Sequence, residues 1–570
     1  MKTLVIAEKP SVAQSIARVL KVNQHKNGYM ENERYIISWC IGHLISPAAP
    51  EAYDDKYRKW SIENLPIIPK EWKYQVVSST EKQYKVLQKL MKSKNVSMIV
   101  CATDAGREGE LIFRLVYNQA ECKKPFKRLW ISSLEEQSIR DGFNNLRDGR
   151  EFENLYHAAS ARSKADWLIG MNATRLYSVK NEVTLNIGRV QTPVLNMLVT
   201  REAEILKFVP EDYYTVEIDC GTFTAAGEKT EDTGIAQTIR NACVNSGKAV
   251  VKEVKTEHKT EAPPKLYDLT ALQRDANRII GFTANQTLIY AQSLYEKKLI
   301  TYPRTDSRYI TEDVEKSIPG LVKIAEKMLG VQIDQNIKPS RLTNNSKVSD
   351  HHALLPTKTL AKTDISVLSN GESEVLSLIC RRLICAVAEP HKYDAVKLMI
   401  ECGGFEFTAN GKTVTDKGWR KFMSGTEENK NTELPELHSG ACLKIESAEV
   451  KSHKTKPPKH FTDDTLLSAM ENAVKSETAE RAGLGTPATR AGIIENLVKR
   501  GFVLRKGKHL IPEDKGKRLI RLVPDSIKSA DMTAEWEERL SEIAEGKDTE
   551  ENFIKDIGAF LRSMIIRESE

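Results

Sequence analysis

The stretch SMIVCATDAGREGE at residues 97–110 predicts the fold of the amino-terminal part of the chain. It begins with an apolar run of strand length and leads through a polar turn into an apolar-rich helical pattern, Glu110 to Tyr117. The same order occurs earlier, where a short apolar run from Leu4 to Ala7 precedes a helical pattern that we expect Ser11 to cap. Strand, turn and helix in succession indicate an α/β domain with a parallel sheet.

Acidic side chains follow both apolar runs. Glu8 ends the first run, and Asp104 and Glu108 lie in the turn after the second, which Gly106 and Gly109 loosen. Functional groups collect where the strands of such sheets end, and carboxylates are the protein ligands that Mg²⁺ uses. Glu8, Asp104 and Glu108 are therefore candidate Mg²⁺ ligands. From spacing alone, a solvated acidic loop that caps the next helix is the favoured alternative.

The composition is that of a soluble globular protein of several domains. The chain has 570 residues, which corresponds to about three to five domains. Its net charge of +7 permits an anionic partner without requiring one. Nine cysteines without a CxxC pair do not predict a disulfide framework or a zinc ribbon. Because no signal peptide and no apolar run of ~20 residues is present, we expect a cytoplasmic protein without membrane spans.

Two similar proline-rich segments occur far apart in the chain. Residues 151–208 have a helical pattern, whereas residues 213–256 and 394–450 are rich in short β-patterns. The segments HKTEAPPK (258–265) and HKTKPPK (453–459) each follow a β-rich stretch and precede a helix start. A double proline ends a strand and holds the chain extended. We expect the chain to leave one discontinuous β-rich domain twice, and chance similarity of two linkers is the alternative.

A tyrosine followed by an arginine stands in the segment KLITYPRTDS, residues 298–307. Attack of the Tyr302 phenolate on a phosphate would give a phosphotyrosine ester, and Arg304 could neutralise the developing negative charge. The chain has 17 tyrosines, so spacing alone gives Tyr302 little support as a nucleophile.

Three further segments carry polar groups suited to phosphate. In DHHALLPT (350–357), a packed or surface histidine is favoured over one that hydrogen-bonds a phosphate. GRVQTP (188–193) and GTPATR (485–490) precede helices, and the exposed N–H groups of a helix start bind phosphate. An ordinary helix cap explains either segment equally well. The sequence contains no Walker A loop, so use of ATP is not indicated.

Together these segments resemble the type IA DNA topoisomerases, in their bacterial topoisomerase III branch. Seven segments carry the resemblance in the same order: LVIAEKPS (4–11), ATDAGREGE (102–110), ARSKADWLIGMNATRLYS (161–178), GRVQTPVL (188–195), LITYPRTDS (299–307), DHHALLPT (350–357) and GTPATRAGIIENLVKRG (485–501). The resemblance implies a multidomain torus of α/β, α and β parts with an amino-terminal Toprim domain. Its domains would be the Toprim domain at 1–150, a helical single-strand-binding domain at 151–210 plus 460–570, a β-rich gate or hinge domain at 211–265 plus 393–459, and a helical domain with the nucleophile at 266–392.

The resemblance also implies a role for each site residue. Tyr302 would be the nucleophile that forms a 5′-phosphotyrosine link, and Arg304 would orient it and contact the scissile phosphate. Glu8 would be the Toprim glutamate, Lys9 an acid catalyst and His351 the site histidine. The implied DNA-binding residues are Ile187, Gly188, Arg189, Val190, Gln191, Thr192, Arg162, Asp166, Trp167, Arg175, His43, Thr489 and Arg490. The implied partners are single-stranded, negatively supercoiled or catenated DNA, with a helicase as candidate protein partner and the enzyme as a monomer.

Two departures from the family pattern limit what the resemblance implies. Gly106 replaces the middle aspartate of the Asp-x-Asp-x-Glu motif, which leaves one or two Mg²⁺ ions open. The sequence ends at Glu570 without the long carboxy-terminal extension of many relatives, so we expect differences in processivity and docking. The alternatives are a single-stranded DNA-binding protein without catalysis and a Toprim nuclease or primase. The sequence is compatible with both relaxation and decatenation of DNA.

Overall fold

The computed structural model describes residues 1–131, 134, 136–334, 336–348, 351–423, 433–473 and 483–569. Its first strands are β1 (Lys2–Ala7), β2 (Gln24–Lys26), β3 (Tyr29–Glu31), β4 (Tyr35–Trp39), β5 (Ile45–Pro47), β6 (Tyr74–Val76), β7 (Val96–Ala102), β8 (Phe126–Arg128) and β9 (Arg147–Asp148). The helices of this part are α1 (Pro10–Val19), α2 (Glu81–Lys92), α3 (Arg107–Gln119) and α4 (Glu136–Asn144). Seven strands form one sheet in the order β2-β3-β4-β1-β7-β8-β9, and β5 pairs with β6.

The predicted parallel α/β unit is confirmed. β1 pairs in parallel with β4 and β7, and Ala7 lies opposite Ala102 in the register. Both faces of β1 are buried, with Leu4 and Ile6 in one apolar cluster and Val5 and Ala7 in another. Because β1 and β7 run in parallel and end together, the residues that follow them meet at one edge of the sheet.

The expectation that Ser11 caps the first helix is wrong. α1 begins at Pro10, and Lys9 occupies the capping position without a side-chain hydrogen bond to the helix. Proline at the first helical position suits a helix start because its fixed φ is helical and it has no N–H to satisfy. Ser11 therefore lies inside the first turn, and Lys9 projects from the strand-to-helix turn.

The middle of the chain contains helices and half of a second sheet. It comprises α5 (Glu153–Asn181), α6 (Gln191–Lys207), β10 (Asp212–Asp219), β11 (Thr224–Gly227), α7 (Thr233–Ser246), β12 (Lys248–Glu261), α8 (Leu269–Asp275), α9 (Ala284–Glu296), α10 (Glu312–Glu315), α11 (Ile318–Leu329) and α12 (Asn370–Val387). The rest comprises β13 (His391–Cys402), β14 (Phe405–Asp416), β15 (Cys442–Lys444), β16 (Ser447–Lys454), α13 (Asp463–Glu471), α14 (Pro487–Lys499), β17 (Val503–Lys506), β18 (His509–Pro512), α15 (Asp514–Leu522), α16 (Asp525–Lys528), α17 (Asp531–Ala544) and α18 (Glu550–Ser569).

The second sheet draws its strands from two separate stretches of the chain. Its order is β15-β12-β13-β14-β11-β10-β16, and all pairs are antiparallel. β12 ends shortly before Pro263, and β16 ends shortly before Pro457. The chain leaves this sheet after each of these strands and enters a helical region through a double proline. The exact domain limits stay a prediction.

Two large apolar cores hold the helical regions. One joins α5 and α6 to the carboxy-terminal helices through residues such as Leu168, Leu198 and Trp536. The other joins α8, α9, α11 and α12, and it includes Ile300 beside Tyr302. Among the residues that the structure describes, no helix is long and apolar enough to cross a membrane.

Candidate active site

Tyr302 and Lys9 are in direct contact, although 293 positions separate them in the sequence. The Lys9 Nζ donates a short hydrogen bond to the Tyr302 hydroxyl and lies 4.2 Å from the centroid of its ring. Lys9 stands in the turn after β1, and the Tyr302 loop packs on the helical region formed by α8 to α12. The contact therefore joins two distant parts of the chain at one phenolic oxygen.

Two carboxylates surround the Lys9 ammonium. The Lys9 Nζ lies 3.4 Å from Glu8 Oε1 and 3.5 Å from Asp104 Oδ2, and the Asp104 N–H donates to Glu8 Oε2 at 3.2 Å. Burial lowers the pKa of Lys9, but the charges of Asp104, Tyr302 and Glu8 outweigh burial and raise it above its usual value. Lys9 is therefore an ammonium at neutral pH, which can donate a proton but cannot accept one.

The acids and the phenol have pKa values shifted in different directions. Burial, helped by Asp104, raises the pKa of Glu8. Burial also raises the pKa of Asp104, but His351 and Lys9 outweigh it and lower that pKa to about 2. Burial raises the pKa of the Tyr302 phenol, against the opposing effect of Lys9. At neutral pH, Asp104 is thus a carboxylate, and Tyr302 needs a cation nearby to ionise.

His351 faces this cluster and its neighbour does not. The His351 ring lies 4.4 Å from the Tyr302 ring between centroids, and its Nε2 is 3.9 Å from Asp104 Oδ2. His352 instead pairs its Nδ1 with the Ala353 carbonyl oxygen at 2.8 Å. Asp350 of the same motif lies outside the described residues.

Two loops fix the position of Tyr302. The Thr301 N–H donates to the Leu355 carbonyl at 2.9 Å, and the Thr305 hydroxyl donates to the His351 carbonyl at 2.7 Å. Arg304 lies between these anchors with an exposed side chain. It can therefore meet a phosphate that approaches from solvent.

Known proteins resemble this chain over almost its whole length. Residues 150–555 match the family model described as DNA topoisomerase, and residues 3–134 match the Toprim domain. DNA topoisomerase 3 of Bacillus subtilis (strain 168) is 41% identical over 595 residues, which cover 99% of this chain and 81% of that protein. DNA topoisomerase 3 of Staphylococcus saprophyticus is 39% identical over 592 residues, covering 100% of this chain and 83% of that protein.

The chain belongs to the type IA DNA topoisomerases.

The structure of full-length topoisomerase I from Thermotoga maritima supports the fold of this topoisomerase. It has a TM-score of 0.74 and 24% identity, and the match covers 99% of this chain and 90% of that one. The predicted torus-like multidomain fold is confirmed. The family match over 150–555 does not favour the alternatives of an inactive DNA-binding protein or a Toprim nuclease or primase.

The metal ligands predicted for this topoisomerase are brought together only in part. Glu8 and Asp104 lie side by side, whereas the exposed Glu108 accepts a short hydrogen bond from His43. Within the described ranges, no group of three His, Cys, Asp or Glu side chains is placed to hold a metal ion. The Toprim domain is a Mg²⁺-binding fold, and one or two carboxylates with phosphate oxygens are enough for Mg²⁺. The Glu8–Asp104 pair fits that requirement, because the charge of Asp104 raises the pKa of Glu8 and a bound cation would offset this repulsion.

Glycine is needed at one of the two positions in the acidic turn. A Cβ atom on Gly109 would lie 2.1 Å from the Asp104 carbonyl oxygen, so α3 could not pack this close to the turn with any other residue. Gly106 has a φ of −173°, which is an extended conformation that any residue adopts. The absence of a carboxylate at Gly106 is therefore not imposed by the backbone.

A buried ion pair lies behind Asp104 and was not predicted from the sequence. The Arg128 guanidinium donates to the carbonyl oxygens of Thr103 at 2.7 Å and Asp104 at 2.6 Å. Its Nε lies 3.0 Å from a carboxylate oxygen of Glu110, and both side chains are fully buried. Arg128 therefore holds the end of β7 from which Asp104 projects. Glu110 stood in the acidic motif, but nothing in the sequence linked it to an arginine 18 positions later.

We expect Arg128→Leu to destabilise the Toprim domain by about 3–5 kcal/mol, because the substitution leaves Glu110 buried without its partner. The measurement is the urea concentration at the midpoint of unfolding. Unfolding of the amino-terminal sheet is monitored by hydrogen exchange of the β1 and β7 amides. The double variant Arg128→Leu/Glu110→Leu removes both charges and should recover most of the loss. Equal destabilisation by the single and double variants would contradict the importance of this pair.

Two arginines predicted to bind DNA are buried and make hydrogen bonds within the protein. Arg175 is 4% exposed and donates to the Tyr57 carbonyl at 2.7 Å. Arg490 is 3% exposed and donates to the Leu484 carbonyl and the Thr270 hydroxyl, each at 3.2 Å. The sequence alone does not reveal whether an arginine side chain is buried or exposed, so the burial of these two was not predictable. DNA contact by either side chain stays a prediction.

The segment 187–192 is also packed more tightly than expected. Arg189 is 3% exposed, and its Nε lies 2.9 Å from Asp166 Oδ1. Thr192 is buried and accepts a hydrogen bond from the Gly188 N–H at 3.1 Å. Ile187 is buried, and three members of the segment are half-buried: Gly188, Val190 and Gln191.

The remaining predicted DNA contacts lie nearer the surface. Trp167 is half-buried and donates from Nε1 to the Ala48 carbonyl at 3.2 Å. Arg162 is half-buried, and its Nε lies 3.8 Å from Asp166 Oδ2. His43 and Thr489 are exposed. These groups can reach a nucleic acid without rearrangement of the core.

Proposed function

We propose that this topoisomerase cuts one DNA strand with Tyr302, keeps the 5′ phosphate as a tyrosine ester, passes DNA through the break and rejoins it. The contact between Lys9 and Tyr302 carries the proposal, because it sets a permanent cation against one of 17 tyrosine hydroxyls. The ester conserves the energy of the broken phosphodiester bond, so strand closure needs no ATP.

Each side chain of the cluster has a task in the cleavage step. The Tyr302 oxygen forms a bond to phosphorus, while the bond from phosphorus to the 3′ oxygen breaks. The Lys9 ammonium donates a proton to the leaving 3′ oxygen and takes it back on closure. Arg304 neutralises charge on the phosphate. The phenolic proton passes to solvent water as the Tyr302 oxygen bonds to phosphorus, because Glu8 is needed as a carboxylate for the metal.

Glu8 and Asp104 would hold the magnesium ion. When bound, Mg²⁺ supplies positive charge against the phosphate oxygens and orients them. The Lys9 ammonium lies against both carboxylates and offsets their negative charge.

Substitution of Glu8 or Asp104 should change the Mg²⁺ concentration that the enzyme needs more than substitution of Glu108 does. We expect Glu8→Gln and Asp104→Asn to raise the Mg²⁺ concentration for half-maximal relaxation by at least about tenfold, which is about 1.4 kcal/mol. Glu108→Gln should shift it much less, because His43 holds Glu108 away from the pair. Magnesium titrations of plasmid relaxation provide the measurement, and an equal shift in all three variants would overturn the two-carboxylate site.

The preferred DNA substrate, the partners and the cellular location are parts of the same proposal. The family relationship supports action on DNA, and we propose negatively supercoiled, catenated and single-stranded DNA as the substrates. We further propose a cytoplasmic monomer that works beside a helicase. Relaxation of supercoiled plasmid and decatenation of gapped circles, compared at equal enzyme concentration without ATP, would show which reaction is faster. Failure of both reactions with Mg²⁺ present would refute the proposed activity.

A further inference from the structure

One acidic side chain outside the catalytic cluster lies among three arginines. Glu537 on α17 pairs with Arg107 at the start of α3, with Nη2 and Oε2 3.0 Å apart. Its other oxygen lies 3.5 Å from Arg189 Nη1. The charge of Arg162 on α5 also acts on it. Four separate parts of the chain thus meet at a single carboxylate.

The cluster holds three acids beside its three arginines. Asp166 is its second acid, and it pairs with Arg189 at 2.9 Å and Arg162 at 3.8 Å. Glu108 is the third acid, because His43, Arg162 and Arg107 lower its pKa against the effect of burial. Three guanidinium groups therefore stand against three carboxylates. Burial raises the pKa of Glu537, but Arg162, Arg107 and Arg189 outweigh it and lower that pKa below its usual value. Glu537 is a carboxylate throughout the physiological range.

The position of the arginines connects this cluster with DNA. Arg107 is the first residue of α3, close after Asp104. Arg162 and Arg189 are among the residues that the resemblance implies bind the single strand, and we call their surroundings the strand path. Guanidinium groups bind carboxylate and phosphate oxygens with the same donor geometry. A strand phosphate in this groove would need the donors that Glu537 now occupies. The Glu537 carboxylate and a phosphate at these arginines would repel each other, because both carry negative charge.

We propose that Glu537 is an internal counter-ion that stands in for a DNA phosphate and is displaced when the single strand binds. The inference rests on the proposed strand path beside α5. In the free enzyme, the carboxylate keeps the three guanidinium groups in place and offsets their repulsion. On binding, the phosphate takes over Arg107 and Arg162, and Glu537 turns toward solvent.

Removing the charge of Glu537 should therefore strengthen DNA binding. We expect Glu537→Gln to tighten the binding of a single-stranded oligothymidine several-fold. The dependence of log Kd on log salt concentration should stay nearly the same, because the same phosphate contacts form once Glu537 is displaced. A purely structural Glu537 predicts weaker binding instead of tighter binding, since loosened arginines would bind more weakly.

The experiment measures fluorescence anisotropy of the labelled oligothymidine over a series of salt concentrations, with Tyr302→Phe in every variant to prevent cleavage. Glu538→Gln is the matched control, because Glu538 is exposed on the same helix and should leave both affinity and slope unchanged. Arg107→Ala should weaken binding and should remove the gain when combined with Glu537→Gln. A gain that survives Arg107→Ala would overturn the displacement.

The outcomes separate this inference from the strand path on which it rests. If Arg107→Ala and Arg162→Ala weaken binding but Glu537→Gln does not tighten it, the counter-ion role of Glu537 is wrong. The strand path along the arginines is then still supported. If neither arginine substitution weakens binding, the path is wrong as well. Should Glu537→Gln fail to fold, hydrogen exchange in 531–544 of the Tyr302→Phe chain decides. Faster exchange on adding DNA is expected from displacement, and protection would contradict it.

Discussion

Tyr302→Phe is expected to abolish the covalent DNA adduct and plasmid relaxation, while binding of single-stranded DNA is retained. The substitution removes one oxygen atom and keeps the ring that packs against His351 and Tyr295. Loss of the nucleophile in covalent catalysis costs on the order of 10⁶-fold in rate. No other group replaces this oxygen, because the ester forms directly on it. The measurement is denaturing gel electrophoresis of the enzyme with end-labelled DNA.

Tyr295→Phe is the matched control for this loss. Tyr295 lies on α9, and its ring meets that of Tyr302 edge-on at 5.3 Å between centroids. Its hydroxyl is close enough to the same charged groups for Asp104 and Lys9 to influence its pKa, which burial raises. Tyr295→Phe should still form adducts. Adducts that persist in Tyr302→Phe and vanish in Tyr295→Phe would assign the nucleophile to the wrong tyrosine.

Lys9→Gln is expected to slow single-turnover cleavage by about 10²–10⁴-fold, the usual contribution of a general acid. Asp104, Tyr302 and Glu8 raise the pKa of Lys9 against the effect of burial, so its proton is present at neutral pH. The 3′ oxygen leaves as a strongly basic alkoxide unless it is protonated. Glutamine keeps a hydrogen-bond donor near Tyr302 but has no proton to give.

A modified substrate tests that role directly. An oligonucleotide with sulfur in place of the bridging 3′ oxygen has a thiolate leaving group, which needs no proton because thiols are far more acidic than alcohols. Cleavage of this substrate by Lys9→Gln should recover most of the lost rate, whereas the unsubstituted enzyme should gain little. If the variant stays equally slow on both substrates, Lys9 serves only to position Tyr302.

The sequence predicted those features that depend on local order. Strand, turn and helix in succession placed Glu8 and Asp104 at one sheet edge, because parallel neighbours end together. The paired segments with double prolines pointed to a β-rich unit visited twice, and one sheet does draw strands from both stretches. Tyr302 drew its support from the ordered motifs around it.

Features that depend on distant contacts were not predictable. No spacing rule joins Lys9 to Tyr302, Arg128 to Glu110, or Glu537 to its three arginines, since each contact forms only when separate elements pack. Burial is the other missing information. The resemblance implies that Arg175, Arg189 and Arg490 contact DNA, and each is at most 4% exposed. Pro10 likewise shifted the first helix start away from Ser11 through local geometry that the capping rule overlooked.

The position of the covalent bond tests the central claim most directly. Cleavage of a 3′-end-labelled strand leaves the label on the fragment whose 5′ phosphate is joined to the enzyme. After denaturation and trypsin digestion, mass spectrometry should find this fragment on the peptide 299–304, which contains Tyr302 as its only tyrosine. Attachment to another peptide, or transfer of label from a 5′-labelled strand, would contradict the account.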